Sequence, residues 1–294
     1  MMSILARPAT RIAKSGARRR IPMPRRLRGR FSLVFGTLLL LILIVMCVGA
    51  PLFTRYDPIE IDALNPLLPM FSPGHLFGTD EFGRDLFARV LYGGRYDLAI
   101  AFAATFVTLV VGTLIGLVAG HVGGRTETII MRIVDLFFAF PFIVLVIAII
   151  ASLGSSLINL FIALWVVSWV SYARISHGQT LSARRYGYVV AAKALGFSNL
   201  RIMFAHILPS VLPGVIIFAM VDAVGNVLLG ASLGFLGVGI PQPTPEWGSM
   251  IAEGQNFILS NWYLSIVPGA ALVVLGVALS LIGDGLADML RTNR

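Results

Sequence analysis

The chain lacks most of what a soluble enzyme uses. Charged residues fill 13% of its 294 positions, about half the share of an ordinary soluble domain. There is one cysteine, Cys47, inside an apolar run. A single cysteine excludes an internal disulfide framework or paired thiols on a metal, and Cys47 reads as a small buried hydrophobe. No Gly-x4-Gly-Lys-Ser/Thr loop occurs, so the chain is not expected to hydrolyse ATP itself. No segment sets a nucleophile beside a base or carries metal ligands at a convincing spacing, so neither a catalytic residue nor a metal ligand is expected. Also missing are stretches of about ten alternating apolar and polar residues, the mark of a membrane β-barrel.

Long apolar runs are what the chain does have. Hydrophobic residues make up 57% of it, and the mean hydropathy is +0.87. The runs are unbroken and about twenty residues long, enough to cross a bilayer as helix. The expected fold is therefore all-α, a polytopic bundle of six transmembrane helices at roughly 31–53, 97–120, 128–151, 156–173, 207–229 and 262–283. Residues 1–30 hold ten Arg/Lys and no acid, and read as a basic cytoplasmic tail. The run Phe31–Phe53 is too long for a secretory signal and lacks a small-residue cleavage site, so it reads as an uncleaved first span. With six spans both termini are cytoplasmic, and 284–294 forms the C-terminal end. Only Arg55, Arg84, Arg89 and Arg95 of the 23 Arg/Lys then lie outside, as the positive-inside rule requires. The net charge of +9 thus orients the protein, and nucleic acid has no place in the account.

Several stretches carry more local information. The outer segment 54–96 is rich in turn formers, then places Leu86, Phe87, Val90 and Leu91 at helical spacing with Asp85 and Arg89 opposite. That predicts an amphipathic helix at the outer membrane face. Asp80, Glu81, Asp85 and His75 read as capping and surface-pairing groups, not a metal site. Gly112, Gly116 and Gly120 leave one helix face bare for close packing. Arg132 and Asp135 can pair three residues apart, and Pro141 should kink the third span. Asp222 and Asn226 sit inside the fifth span and are either an interhelical hydrogen bond or part of a translocation path. The glycine- and proline-rich stretch after residue 230 reads as a stiff outer loop that docks a partner or caps the bundle, with Trp247 at the membrane interface.

The core, 97–283, is interrupted by a polar, basic loop, 174–206. Tyr188, Ala191, Ala192 and Leu195 share a helical face, with Arg184, Arg185 and Lys193 around them. Gly196 should end that helix, and Ser198 should cap a second short one. Phe197 and Ile202 are placed to form a hydrophobic staple, and Pro209 and Pro213 mark the turn back to the membrane. On charge alone this would be a loop that merely obeys topology.

The spacing is more specific. Ala191, Ala192, Gly196, Leu208 and Pro209 match the loop written Glu-Ala-Ala-x3-Gly-x9-Ile-x-Leu-Pro, with Val190 where glutamate and His206 where isoleucine is usual. This resembles the signature loop of bacterial ABC importer permeases. Phe77-Gly-Thr-Asp-Glu-Phe-Gly-Arg-Asp-Leu and Leu233-Gly-Phe-Leu-Gly-Val-Gly-Ile-Pro-Gln-Pro-Thr-Pro-Glu-Trp-Gly, with the closing Gly283-Asp-Gly-Leu-Ala-Asp, look like the dipeptide, oligopeptide and nickel branch and its C-type subunit. The resemblance implies a multi-pass protein of the bacterial inner membrane. It implies a heterodimer with a second related permease, two cytoplasmic ATPase subunits that hold the ATP and Mg, and an extracytoplasmic peptide-binding protein. It implies no cofactor on this chain. Arg184, Tyr188, Ala191, Ala192, Lys193, Leu195 and Gly196 would form the ATPase-coupling surface. Peptides are the expected cargo, and nickel or another small solute the alternative. An ion-gradient transporter would want inverted repeats and several intramembrane acids, and the chain has neither.

Overall fold

The computed structural model describes residues 25–291. Most of the basic tail, 1–24, and residues 292–294 lie outside the described residues. The first helix, α1 (Arg25–Val48), stops at Gly49, and the short α2 (Ala50–Phe53) follows. An irregular segment then runs to α3 (Leu86–Ala99), which continues through a π turn (Ile100–Ala104) into α4 (Thr105–Val122). Then come α5 (Gly124–Phe138), α6 (Phe142–Leu153), α7 (Leu157–Ala183) and α8 (Gly187–Ala194). One turn of α9 (Asn199–Arg201) passes through a second π turn (Ile202–Ile207) into α10 (Leu208–Phe235). The chain ends in α11 (Trp247–Gln255) and α12 (Tyr263–Arg291).

The fold is an all-α membrane bundle. Five continuous helices are long and apolar enough to cross a bilayer, and the α5–α6 pair makes a sixth span if its two halves are counted together. That pair bends by 84°, far more than a kink. Pro141 begins α6 as its N-cap. Because proline has no N–H to give the preceding turn, the third span is broken there.

Elsewhere the helices run further than apolar length alone predicts. The 37-residue helix Leu86–Val122 takes in the expected amphipathic segment, which is therefore the start of a span and not a separate surface helix. Arg89 on it is 1% exposed, not on a solvent face. Likewise α7 carries on to Ala183, and Asn199–Phe235 is one 37-residue helix. Pro209 does not break it, because the π turn lets the Leu208 N–H reach Met203 O, five residues back.

Bare glycine faces set the closest approaches. A Cβ on Gly112 would lie 2.3 Å from Trp169 O, and one on Gly116 2.2 Å from Ala173 O, so α4 and α7 touch backbone to backbone. The packing reading of that stripe holds. Gly36 and Gly285 bring α1 and α12 together in the same way. The result is a bundle with two distinct ends. One gathers α8 with the C-terminal ends of α4, α7 and α12, and the other carries α11 and the irregular segment 54–85.

Two local expectations are corrected. Asp135 pairs with Arg174 of α7, not with Arg132. Arg174 also lies over the Phe138 ring, 4.1 Å from its centroid, so the neighbouring helix offers both a charge and a flat face. Trp247 is fully buried, not interfacial. Its Nε1 donates to Val90 O at 2.9 Å, which a buried indole requires.

Candidate functional site

The α8 end holds the residues to which the resemblance assigns ATPase coupling. Helix α8 is short, and it is held by burying one side. Val189 and Ala192 pack in a cluster with Leu117 of α4, Tyr172 of α7 and Val211 of α10. Ala192 thus points inward, so the expected single face of Tyr188, Ala191, Ala192 and Leu195 is split. Ala191 stays exposed with Tyr188, Val190 and Leu195, the last three 48%, 56% and 74% exposed. Positions 188, 191 and 195 follow helical spacing, so Tyr188, Ala191 and Leu195 form one uncovered apolar strip.

The end of α8 matches its sequence. Gly196 has φ +78°, a conformation only glycine adopts freely. The Phe197 N–H reaches back to Ala192 O at 3.2 Å and the Gly196 N–H to Lys193 O at 3.1 Å, which closes the helix in a Schellman turn. Ser198 Oγ accepts from the Arg201 N–H at 3.4 Å. Phe197 and Ile202 join the same cluster as Ala192, as the staple requires. Lys193 is exposed. Arg184 ends α7, and its Nη1 donates to Gly120 O at the end of α4, 2.8 Å away.

Asp222 and Asn226 are brought together, and their polar atoms are used within the bundle. Asn226 Nδ2 donates to Asp222 Oδ2 and to Thr105 Oγ1, both at 3.0 Å. Tyr172 OH donates to Asp222 Oδ2 at 2.8 Å. The network ties α10 to α7 and to the start of α4. Asn226 is buried and Asp222 half-buried. Tyr172 was not read as a partner, since nothing in sequence marks a tyrosine fifty positions away as facing an acid.

The α11 end holds a polar centre that sequence reading missed. Asp80 Oδ2 lies 2.6 Å from Arg84 Nε and 3.4 Å from Arg89 Nε, and Glu253 Oε2 lies 2.9 Å from Arg89 Nη2. Burial raises the Glu253 carboxyl above the usual carboxylate range, and Arg89 and Arg84 pull it back. Asp85 caps α3, accepting from the Ala88 N–H at 2.7 Å, and bonds His75 Nδ1 at 2.8 Å. Capping and pairing are thus the roles of Asp80 and Asp85, but these acids and His75 lie inside the protein and not on its surface. Glu246 accepts from the Gly248 and Ser249 N–H groups and caps α11.

The family model described as "Binding-protein-dependent transport system inner membrane component" matches residues 112–293, which include α8 and the glycine face of α4. The "Probable D,D-dipeptide transport system permease protein DdpC" of Escherichia coli is 39% identical over 90% of this chain and 88% of that protein. The dipeptide transport system permease protein DppC of Alkalihalophilus pseudofirmus is 38% identical over 87% of this chain and 84% of its own length. The oligopeptide transport system permease protein OppC of Bacillus subtilis is 32% identical over 90% and 87%. Among solved structures, the inward-facing MetNI methionine ABC transporter superposes with a TM-score of 0.58 at 22% identity, covering 70% of this chain and 96% of that one. That likeness bears on the fold alone.

Proposed function

The chain belongs to the family of binding-protein-dependent transport system inner membrane components, and from that premise we propose that it is one permease of a heterodimeric, ATP-driven peptide importer. As a permease subunit it is a multi-pass inner-membrane protein. On this reading the basic α8 end is cytoplasmic, and the α11 end faces the external binding protein. Two separate ATPase subunits hold the ATP and Mg, and dock on α8.

The observation that carries the reading is the uncovered strip Tyr188, Ala191 and Leu195, with Val190 exposed as well, on a helix that buries Val189 and Ala192. An apolar strip in water calls for a partner, and a helix packed on the ends of three others can pass a push to all of them. With Val190 in place of the usual glutamate, the grip rests on shape and apolar contact. ATP-driven closure of the ATPases then displaces α8, and the spans reopen toward the other side. Peptide is the cargo best supported, because the relatives' names speak of dipeptides and oligopeptides. Asp222 and Asn226 act as an interhelical packing device, a role supported by their hydrogen bonds to Tyr172, Thr105 and each other.

The test is co-purification with the paired permease, ATPases and binding protein, followed by reconstitution. Peptide-loaded binding protein is expected to stimulate ATP hydrolysis and drive uptake. ATPase activity that ignores peptide across dipeptides and oligopeptides would overturn the peptide assignment, and absence of bound ATPases would overturn the docking role of α8.

A further inference from the structure

The two ends of α8 are attached to the bundle differently. On the exit side, Gly196 stands at φ +78° in the Schellman turn, and Phe197 and Ile202 hold it to the bundle by apolar contact. On the entry side, Arg184 closes α7 and its Nη1 donates to Gly120 O at 2.8 Å. The Gly120 carbonyl is near the end of α4, where intrahelical donors run out and a cation also complements the helix dipole. The same Nη1 passes 3.6 Å from the Cβ position of Gly123, the residue that turns α4 into α5 at φ +74°. On α5, Glu127 Oε1 accepts from His177 Nε2 of α7 at 2.7 Å. Above these contacts α4 and α7 touch along their backbones.

We propose that Arg184 and the His177–Glu127 pair are positioning residues that clasp the α4–α5 turn to the root of α8, so that displacement of α8 moves α4 and α5 together with α7. This rests on the reading of α8 as the ATPase contact and deepens it. Arg184 then acts through α4 rather than by touching the ATPase. Arg185, next in the chain, is exposed and makes no side-chain bond among the described residues, so it is a built-in control for charge alone.

The experiment uses the complete reconstituted complex and reads peptide uptake per ATP hydrolysed, normalised to assembled complex. Arg184→Ala is expected to lower that ratio about tenfold while ATP hydrolysis persists, the size of effect coupling mutations produce. Arg184→Lys, which keeps a cation and a donor, restores part of it, and Arg185→Ala leaves it unchanged. A purely structural role would instead lower the amount of complex and move both rates together. Glu127→Ala removes the acceptor for His177 Nε2 and carries the test if Arg184→Ala does not assemble, with the ratio again expected to fall. An unchanged ratio in both Arg184→Ala and Glu127→Ala, or in Glu127→Ala alone should Arg184→Ala not assemble, overturns the clasp. Leu195→Glu separates this from the underlying reading. It should strip the ATPases from the complex, and if it does not, the docking role of α8 fails whatever the arginine does.

Discussion

The α11 end completes itself, and the α8 end does not. At the α11 end, two arginines and two acids lock together in the interior, Trp247 is enclosed, and Tyr263 OH holds the irregular segment by donating to Leu68 O at 2.8 Å. At the α8 end, an apolar strip faces outward with nothing on it. The contrast also sharpens the charge argument. Arg84, Arg89 and Arg95, three of the four arginines assigned to the outside, are all used internally. Arg95 donates to Cys47 O and Val48 O, each at 2.8 Å, and so caps the end of α1. Arg55 alone of the four has no side-chain partner among the described residues.

If the α11 end is self-contained, breaking it should unfold it without any partner. Arg89→Ala leaves two buried acids, Asp80 and Glu253, to share Arg84 as counter-charge, so one negative charge goes uncompensated, which costs about 3–5 kcal/mol in a buried ion-pair group. The expected result is a large drop in thermal midpoint of the isolated permease in detergent. A midpoint unchanged from wild type would mean that the cluster opens to water and that the two ends do not differ as described. The spine that joins the ends comes next. Gly116→Ala forces a Cβ against Ala173 O, and overpacking of this kind costs about 1–3 kcal/mol. It should lower the midpoint less than Arg89→Ala and separate α4 from α7, read as a longer distance between spin labels on the two helices.

A smaller effect tests the network between the ends. In Asp222→Asn the side-chain carbonyl can still accept from Tyr172 and Asn226, so only the charge is lost, at a cost of about 1 kcal/mol. Assembly should fall slightly and uptake per complex stay constant. If uptake falls while assembly holds, Asp222 belongs to the path and not to the packing.

What sequence reading could and could not reach follows from the range of the forces. Span positions come from runs of neighbouring residues, and the Gly196 stop from one residue's φ, so both were legible. The glycine stripe on α4 was legible as a bare face, though not that α7 would fill it. Helix ends were under-read, since apolar length marks the membrane and not where hydrogen bonding stops, and α7, α10 and α12 all run past it. Long-range partners were out of reach. Arg89 and Glu253 are 164 positions apart, and nothing local marks Arg89 as buried rather than exposed. At the candidate site, the helix and its Gly196 end were legible but its facing was not, because an eight-residue helix offers two turns and Ala191 and Ala192 look alike in sequence.

That pair of alanines gives the smallest cost to the fold and the sharpest test of the comparison. Ala192 is 3% exposed and packed against the ends of α4, α7 and α10, whereas Ala191 is exposed beside Tyr188 and Leu195. A glutamate at 191 reaches water and sits in a helix that tolerates it, so Ala191→Glu should change stability by no more than about 0.5 kcal/mol. Its charge falls in the middle of the apolar strip, where any docked protein would have to desolvate it without a counter-charge. The isolated permease should therefore melt as wild type does while the ATPases no longer co-purify. Ala192→Glu, one residue on, should fail in the opposite order, with the permease destabilised before any partner is added. Equal behaviour of the two variants would mean that α8 has no inward and outward sides, and the contrast between the two ends of the molecule would lose its basis.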